Sequence, residues 1–280
     1  METDSGMRAD SAHHRPDGRL AHVFRMAPAC GLPEVLATLG TADAGVRAGL
    51  APPVACRRVP AGATVLHEGG ETRSLLVVRS GSFKCVRMLE DGYEQVLGFA
   101  WRGDVLGFEA LGRGRSPTSV VALEVASVHV LPLADLPAWR RDCPALDCAL
   151  QRALCRQLAR AGEVAEMLAA VSAQVRLARF LTALSARMAE DGQSPHRFWL
   201  RMGRRDIASL LGMAHSTVSR TFTSLAALGC LRVDNRSVEV LDPGLLAAYA
   251  RSTRAPGPQP ALAAGTFGEI SMAAASTVTV

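Results

Sequence analysis

Residues 204–231 read RRDIASLLGMAHSTVSRTFTSLAALGCL. Ile207, Leu210 and Leu211 recur at the three-to-four spacing that gathers apolar side chains on one face of a helix. Gly212 follows, where a helix ends most cheaply on a residue tolerant of positive φ. After Met213-Ala214-His215 a second helix is predicted, with Val218, Phe222, Leu225 and Leu228 as its inward face. The short polar residues Ser216, Thr217 and Ser219 open its outward face, and Arg220 lies one turn in on the same side. This is the pattern of a helix-turn-helix, whose second helix enters the DNA major groove N-terminus first. There an arginine can bond guanine O6 and N7 together. An ordinary αα-hairpin would share the two helices. Residues 230–241, CLRVDNRSVEVL, separate the readings: β-branched residues alternate around Asp234-Asn235 and predict a short hairpin, which makes the unit a winged helix.

The rest of the chain sets bounds around that unit. A length of 280 residues suits one large domain or two ordinary ones. The net charge is +5, and residues 173–254 hold twelve arginines against six acidic residues. Such a local surplus fits a phosphate-binding surface. A solvated face in an arginine-rich chain would give the same count, since Lys84 is the sole lysine. No run of eighteen apolar residues offers a membrane span, and no apolar signal core opens the chain, so the cytoplasm is the expected compartment. The cysteines (30, 56, 85, 143, 148, 155 and 230) are scattered without a CxxC pair and read as free thiols. No nucleophile–base pair or metal cluster argues for an enzyme.

Residues 1–27 are polar and aperiodic and read as a mobile arm; His13 and His14 lack a second cluster at metal-ligand spacing. Residues 27–50 predict one or two short helices through Leu36, Leu39, Val46 and Leu50. From Cys56 the period becomes two. Strands are predicted at 55–59, 64–67, 74–80, 81–89, 95–100, 120–122 and 127–132, parted by glycine-bearing turns, which indicates an antiparallel barrel or jelly roll. Residues 136–141 turn the chain. A long helix then starts near Pro144, where Leu146, Leu150, Leu154, Leu158, Ala161, Ala165, Leu168 and Val171 read as a two-stranded coiled-coil seam. No charge interrupts the seam between Leu154 and Leu168, so a dimer independent of any signal is expected. A helix packed on its own sensor domain is the alternative. Another helix spans 175–190 with Leu177, Phe180, Leu181 and Leu184 inward, then a strand at 198–202 leads to the helix-turn-helix. A last helix near 245–251 precedes residues 254–280, which are low in charge and expected to be disordered.

On these residues the chain resembles a known family. The run GMAHSTVSRTFTSLAALGCLRVDNRSVEV (212–240) resembles the DNA-reading domain of the CRP/FNR family of bacterial transcription regulators. The run RSGSFKCVRMLEDGYEQVLGFAWRGDVLGFEALG (79–112) is similar to the sensor domain of its FNR branch. The resemblance implies an α+β chain: an antiparallel β-roll or jelly-roll sensor domain over 28–141, a dimerisation helix over 142–172, and a C-terminal winged helix-turn-helix over 173–251. An arm (1–27) and a tail (252–280) flank them. It implies a homodimer on double-stranded DNA, with inverted half-sites roughly 34 Å apart, and RNA polymerase as a partner. Leu154, Leu158, Ala161, Ala165 and Leu168 would form the dimer seam.

By the same resemblance Arg220 reads guanine, Ser219 sits beside it, and His215 and Thr217 flank the groove. Arg204 would clamp a phosphate, and Arg236 in the wing would touch the backbone. Ser216 stands where the family commonly carries a glutamate that accepts from cytosine, so the TTGAT-like half-site of the FNR branch stays open at one base pair. Gly203 replaces a hydroxyl residue that often caps the first helix. The loop of Glu90, Asp91, Gly92 and Glu94 resembles the family's surface loop for polymerase; a solvated turn is the alternative.

Cyclic-nucleotide-binding relatives use a glutamate on the ribose and an arginine-serine pair on the phosphate. Here those positions hold Phe108 and Pro117, Thr118 and Ser119, with Arg115-Ser116 lying early, so cyclic AMP is not expected. Oxygen-sensing relatives hold an iron–sulfur cluster on four thiolates. Cys30 stands alone in the N-terminal region, and the barrel position of the fourth ligand holds His129, so that cluster is not expected either. Haem on His67 or His129 stays open, as does a thiol sensor using Cys30, Cys143, Cys148 or Cys155. The rival class is a cyclic-nucleotide- or redox-responsive sensor module acting through protein contacts.

Overall fold

The computed structural model describes residues 25–41, 53–112 and 114–253. The predicted arm up to residue 24, the helical stretch at Val46 and Leu50, and the tail from residue 254 lie outside them.

The N-terminal half is an antiparallel double sheet. Its strands are β1 (Arg25–Cys30), β2 (Val54–Val59), β3 (Thr64–Leu66), β4 (Ser74–Ser80), β5 (Phe83–Met88), β6 (Glu94–Ala100), β7 (Val105–Leu106), β8 (Ser119–Ala122) and β9 (Ala126–Pro132). One sheet runs β1-β2-β9-β4-β7 and the other β3-β8-β5-β6. Period-two side chains explain how the first sheet can be covered on both faces. Along β4, Leu76 and Val78 point into the roll with Phe83, Val120 and Val128. Leu75 and Val77 point out, under helix α1 (Leu32–Thr38) and the start of α3 (Pro144–Ala169). The β4–β5 turn requires glycine at 81: φ is +82° and a Cβ there would lie 2.6 Å from that of Ala126.

Two expectations are corrected in the sensor half. Residues 25–30 form a strand, not the end of an arm or a helix, because β2 offers them an open edge. Pro28 hides that strand in the sequence, and the register shifts across it between Ala27 and Cys30, as a residue without an N–H requires. Residues 136–142 form helix α2 (Leu136–Asp142), where only a turn was expected. Strand β7 is too short to show a period.

The remaining elements are α4 (Ala173–Glu190), β10 (Arg197–Trp199), α5 (Arg204–Leu211), α6 (His215–Ala227), β11 (Leu231–Asp234), β12 (Ser237–Val240) and α7 (Pro243–Arg251). The wing is a three-stranded sheet, β10-β12-β11. Strand β10 stops at Trp199, short of the predicted 202, because Leu200 and Met202 turn into the core beneath. Helix α3 divides in two. Leu146, Ala149, Leu150 and Ala153 are buried against α1 and β4, so Leu146 and Leu150 belong to the sensor core rather than to a seam. Leu154, Leu158 and Leu168 are 48%, 73% and 41% exposed, and Val171 lies beyond the helix end. Among the described residues no helix is long and apolar enough to cross a membrane.

Candidate nucleic-acid interface

The turn between α5 and α6 is built as its sequence demands. Gly212 takes the left-handed conformation (φ 59°) and closes α5. The Arg176 guanidinium donates to Leu211 O at 3.0 Å, placing a cation at the negative end of that helix. At the other end Gly203 has no hydroxyl, but the Asp206 carboxylate accepts from the Gly203 N–H at 2.8 Å and ties off the first turn. Val218, Phe222 and Leu225 of α6 are buried. Leu228 is not: the helix has ended at Ala227 and the side chain is 42% exposed.

The opposite face of α6 is open. His215, Ser216, Ser219 and Arg220 are exposed and Thr217 half-buried. Ser219 Oγ donates to His215 O at 3.3 Å, which keeps its side chain short against the helix. Arg220 Nη2 reaches Thr217 Oγ1 at 3.5 Å, the limit for a hydrogen bond. Among the described residues no carboxylate pairs with it, so a fork of N–H donors faces outward. Arg236 is exposed at the wing tip beside Asn235, whose φ is 51°, and donates to Arg201 O at 3.3 Å.

Arg204 departs from the phosphate-clamp expectation. Its guanidinium carbon lies 3.4 Å over the Phe222 ring, and Nη2 donates to Asn235 O at 3.0 Å. Burial lowers its pKa to about 10, which leaves it charged at neutral pH. Arg204 therefore ties the wing turn to the recognition helix from within. Its neighbour Arg205, which the sequence reading passed over, is the exposed member of the pair. The doublet was the signal: adjacent helical residues diverge by about 100°, so both could not point the same way.

The reader is joined to the sensor through α5 and β6. Ser209 Oγ donates to Glu94 O at 3.0 Å and accepts from Val96 N at 2.8 Å, while Gln95 Nε2 donates to Ser209 O at 2.6 Å. The Lys84 ammonium sits between Glu94 and Asp206, 3.1 Å from the latter. Burial opposes its charge, but the two carboxylates outweigh that and raise its pKa. Glu94 is thus engaged in the junction, which corrects its assignment to an exposed loop. Glu90, Asp91 and Gly92 do form an exposed turn, with Gly92 at φ 81°.

The comparisons agree with this architecture. The Crp-like helix-turn-helix domain family matches residues 175–249, and the cyclic nucleotide-binding domain family matches 56–141. The fumarate and nitrate reduction regulatory protein of Salmonella typhimurium (strain LT2) is 34% identical over 193 residues, 69% of this chain and 77% of the relative. That of Escherichia coli K12 matches to the same extent. The chain belongs to the CRP/FNR family. FixK2 from Bradyrhizobium japonicum is similar in structure with a TM-score of 0.64 at 22% identity, over 71% of this chain and 98% of that one. A CRP-family transcriptional regulator from Thermus thermophilus gives 0.57 at 26% identity, over 70% and 96%. This CRP/FNR chain is a DNA-binding transcription regulator with a helix-turn-helix reader, and not an enzyme.

In this CRP/FNR chain the family's ligand apparatus is altered. A cavity of about 580 Å³ lies between the sensor sheet, α3 and α4, lined by Phe99, Trp101, Gly107, Thr118, Arg156 and Arg187 among others. Phe108 is buried in the core beneath α1 and α3, so the ribose-binding carboxylate has no counterpart there. Arg115 donates to Gly69 O at 2.8 Å and Ser116 Oγ to Thr118 O at 2.7 Å, so both of those donors are engaged within the loop. Asp104 is clamped by Arg160 at 2.7 Å and Arg187 at 3.1 Å.

Cys30 lies against His129 (Sγ to Nδ1, 3.2 Å) and groups with Glu34, with Cys56 opposite His129 on the adjoining strand β2. His129 is fully buried, with Nε2 3.2 Å from Thr38 Oγ1. His129 is not among the residues that line the 580 Å³ cavity. Cys148 and Cys155 are exposed and Cys143 is buried.

Proposed function

We propose that this regulator works as a homodimer that reads an inverted repeat. The observation that carries the reading is a matched pair of faces. The open side of α6 presents Ser216, Ser219 and Arg220, and the open side of α3 presents Leu154, Leu158, Ala161, Ala165 and Leu168. Joining two chains along α3 relates two recognition helices by a two-fold axis, so each engages one half-site of a palindrome. Arg220 reads guanine through its fork of donors. Ser216 makes a shorter, uncharged contact where a glutamate would accept from cytosine, so the half-site is TTGAT-like with relaxed preference at one pair. Thr217 and His215 flank the groove, and Arg236 and Arg205 meet phosphates; Arg204 positions the wing.

The exposed turn at Glu90, Asp91 and Gly92 supports a contact with RNA polymerase. Phe108 and the engaged Arg115 and Ser116 support regulation without a cyclic nucleotide, and His129 against Cys30, where a thiolate would stand, supports regulation without an iron–sulfur cluster. The absence of a long apolar helix among the described residues is consistent with work in the cytoplasm. The rival reading, a sensor module acting through protein contacts alone, leaves the open face of α6 without a purpose. Selection from random duplexes by the full-length protein, followed by sequencing, is the test. Enrichment of an inverted repeat supports the proposal; an unrepeated motif, or no enrichment, overturns it.

A further inference from the structure

One cluster on the sensor is unrelated to DNA reading. The end of β1 brings Cys30, the first turn of α1 brings Glu34 and its last residue is Thr38, and the centre of β9 brings His129. One ligand atom from each of Cys30, Glu34 and His129 lies within 4.8 Å of the other two. The surrounding bonds fix their roles. Thr38 Oγ1 gives its single hydrogen to Glu34 O at 2.8 Å, so toward His129 Nε2 at 3.2 Å it acts as acceptor. That places the ring hydrogen on Nε2 and turns the Nδ1 lone pair toward Cys30 Sγ, 3.2 Å away. A metal-binding histidine is held in just this way, its second nitrogen donating to an oxygen behind it. The Glu34 carboxylate is steadied by Arg79 Nε at 2.7 Å, as ligating carboxylates commonly are. His129 is fully buried, whereas Cys30 and Glu34 are half-buried and leave an entrance on one side.

We propose that Cys30, Glu34 and His129 form a mononuclear site for a divalent transition metal of borderline softness, such as Zn²⁺, Co²⁺ or Fe²⁺. The mixed S, N, O donor set selects that class over Mg²⁺ or Ca²⁺. Tetrahedral bonds of about 2.3 Å to sulfur and 2.0 Å to nitrogen separate the two donors by about 3.5 Å, so the present contact opens by a few tenths of an ångström. On binding, the Cys30 S–H bond breaks, its proton leaves to solvent, and the thiolate, imidazole and carboxylate take the metal with no change in oxidation state. Thiolate and carboxylate balance the two positive charges, and solvent completes the fourth position.

The experiment is a Co²⁺ titration of full-length, chelator-treated protein without oxygen, followed by absorbance and by metal and acid-labile sulfide analysis. One equivalent per chain with a near-ultraviolet thiolate-to-cobalt band is expected, without sulfide, and displaced by Zn²⁺. The band disappears in Cys30→Ser and persists in Cys56→Ser and in Cys148→Ser/Cys155→Ser. Thr38→Val, which removes the acceptor behind His129 together with the hydroxyl's bond to the Glu34 carbonyl, weakens binding about 10–100-fold. If Cys30→Ser does not fold, Glu34→Gln at the half-buried position serves, with a clear loss of affinity expected. No band, a band unchanged in Cys30→Ser, affinity unchanged in Glu34→Gln, or stoichiometric sulfide would each overturn the proposal.

Discussion

The two halves of α3 carry the same three-to-four leucine pattern and meet different fates. Leu146 and Leu150 are 0% and 5% exposed beneath α1, whereas Leu158, two turns on, is 73% exposed. Spacing alone fixes which residues share a face; what lies opposite decides whether that face is satisfied within one chain. The first half runs alongside α1 and β4, whose outward Leu75 and Val77 need covering. In the second half Arg156, Gln157 and Arg160 hold the helix to the sensor on one side, and its apolar stripe stays open on the other. The recognition helix repeats the lesson across its own width: Val218, Phe222 and Leu225 are closed by α5 and the wing, while Ser219 and Arg220 wait for a partner of different chemistry.

The comparison can be broken at either half. Leu154→Glu together with Leu158→Glu places charges in the open stripe and should leave a folded monomer. Its affinity for a palindromic duplex should fall about 10²–10⁴-fold, the avidity that linking two half-sites supplies, measured by gel shift. Leu146→Ala in the closed half should cost about 2–5 kcal/mol of stability in urea titrations, through lost burial and a cavity, with dimerisation intact in the surviving folded protein. Should Leu158→Ala destabilise the isolated chain as much as Leu146→Ala, the division of α3 would be wrong.

Smaller effects sharpen the account of the reader. Arg220→Ala should weaken specific binding by about 1–3 kcal/mol and flatten base preference at one position per half-site, read by selection with the variant. Lys84→Met leaves Asp206 and Glu94 facing each other without their shared cation. Their side chains are only partly exposed, so a loss of about 1–2 kcal/mol is expected, below the range for a fully buried pair. Hydrogen exchange should show the loss concentrated at the β6–α5 junction rather than in α3.

Much of this was legible in the sequence. The period-two blocks marked the strands that carry the sensor core, and Gly212 marked the turn of the reader, because each depends on local spacing or local φ. What escaped depended on distant neighbours. Strand β1 forms because β2 presents an edge, and nothing in residues 25–30 announces that edge. Arg204 looks like a surface cation until Phe222 and Asn235 close around it. Glu94 belongs by sequence to an acidic loop, yet Lys84 and Ser209 draw it into the interdomain junction. The family resemblance set Cys30 and His129, 99 positions apart, at cluster-ligand positions, but nothing in the sequence added Glu34 to them.

The most direct test is the number of chains on one duplex. Sedimentation of the wild-type protein with a duplex bearing the selected inverted repeat should give two chains per duplex, and one with the Leu154→Glu/Leu158→Glu variant. One wild-type chain per duplex at saturation, or two chains retained by the variant, would contradict the claim that the open stripe of α3 sets the two-fold symmetry by which DNA is read.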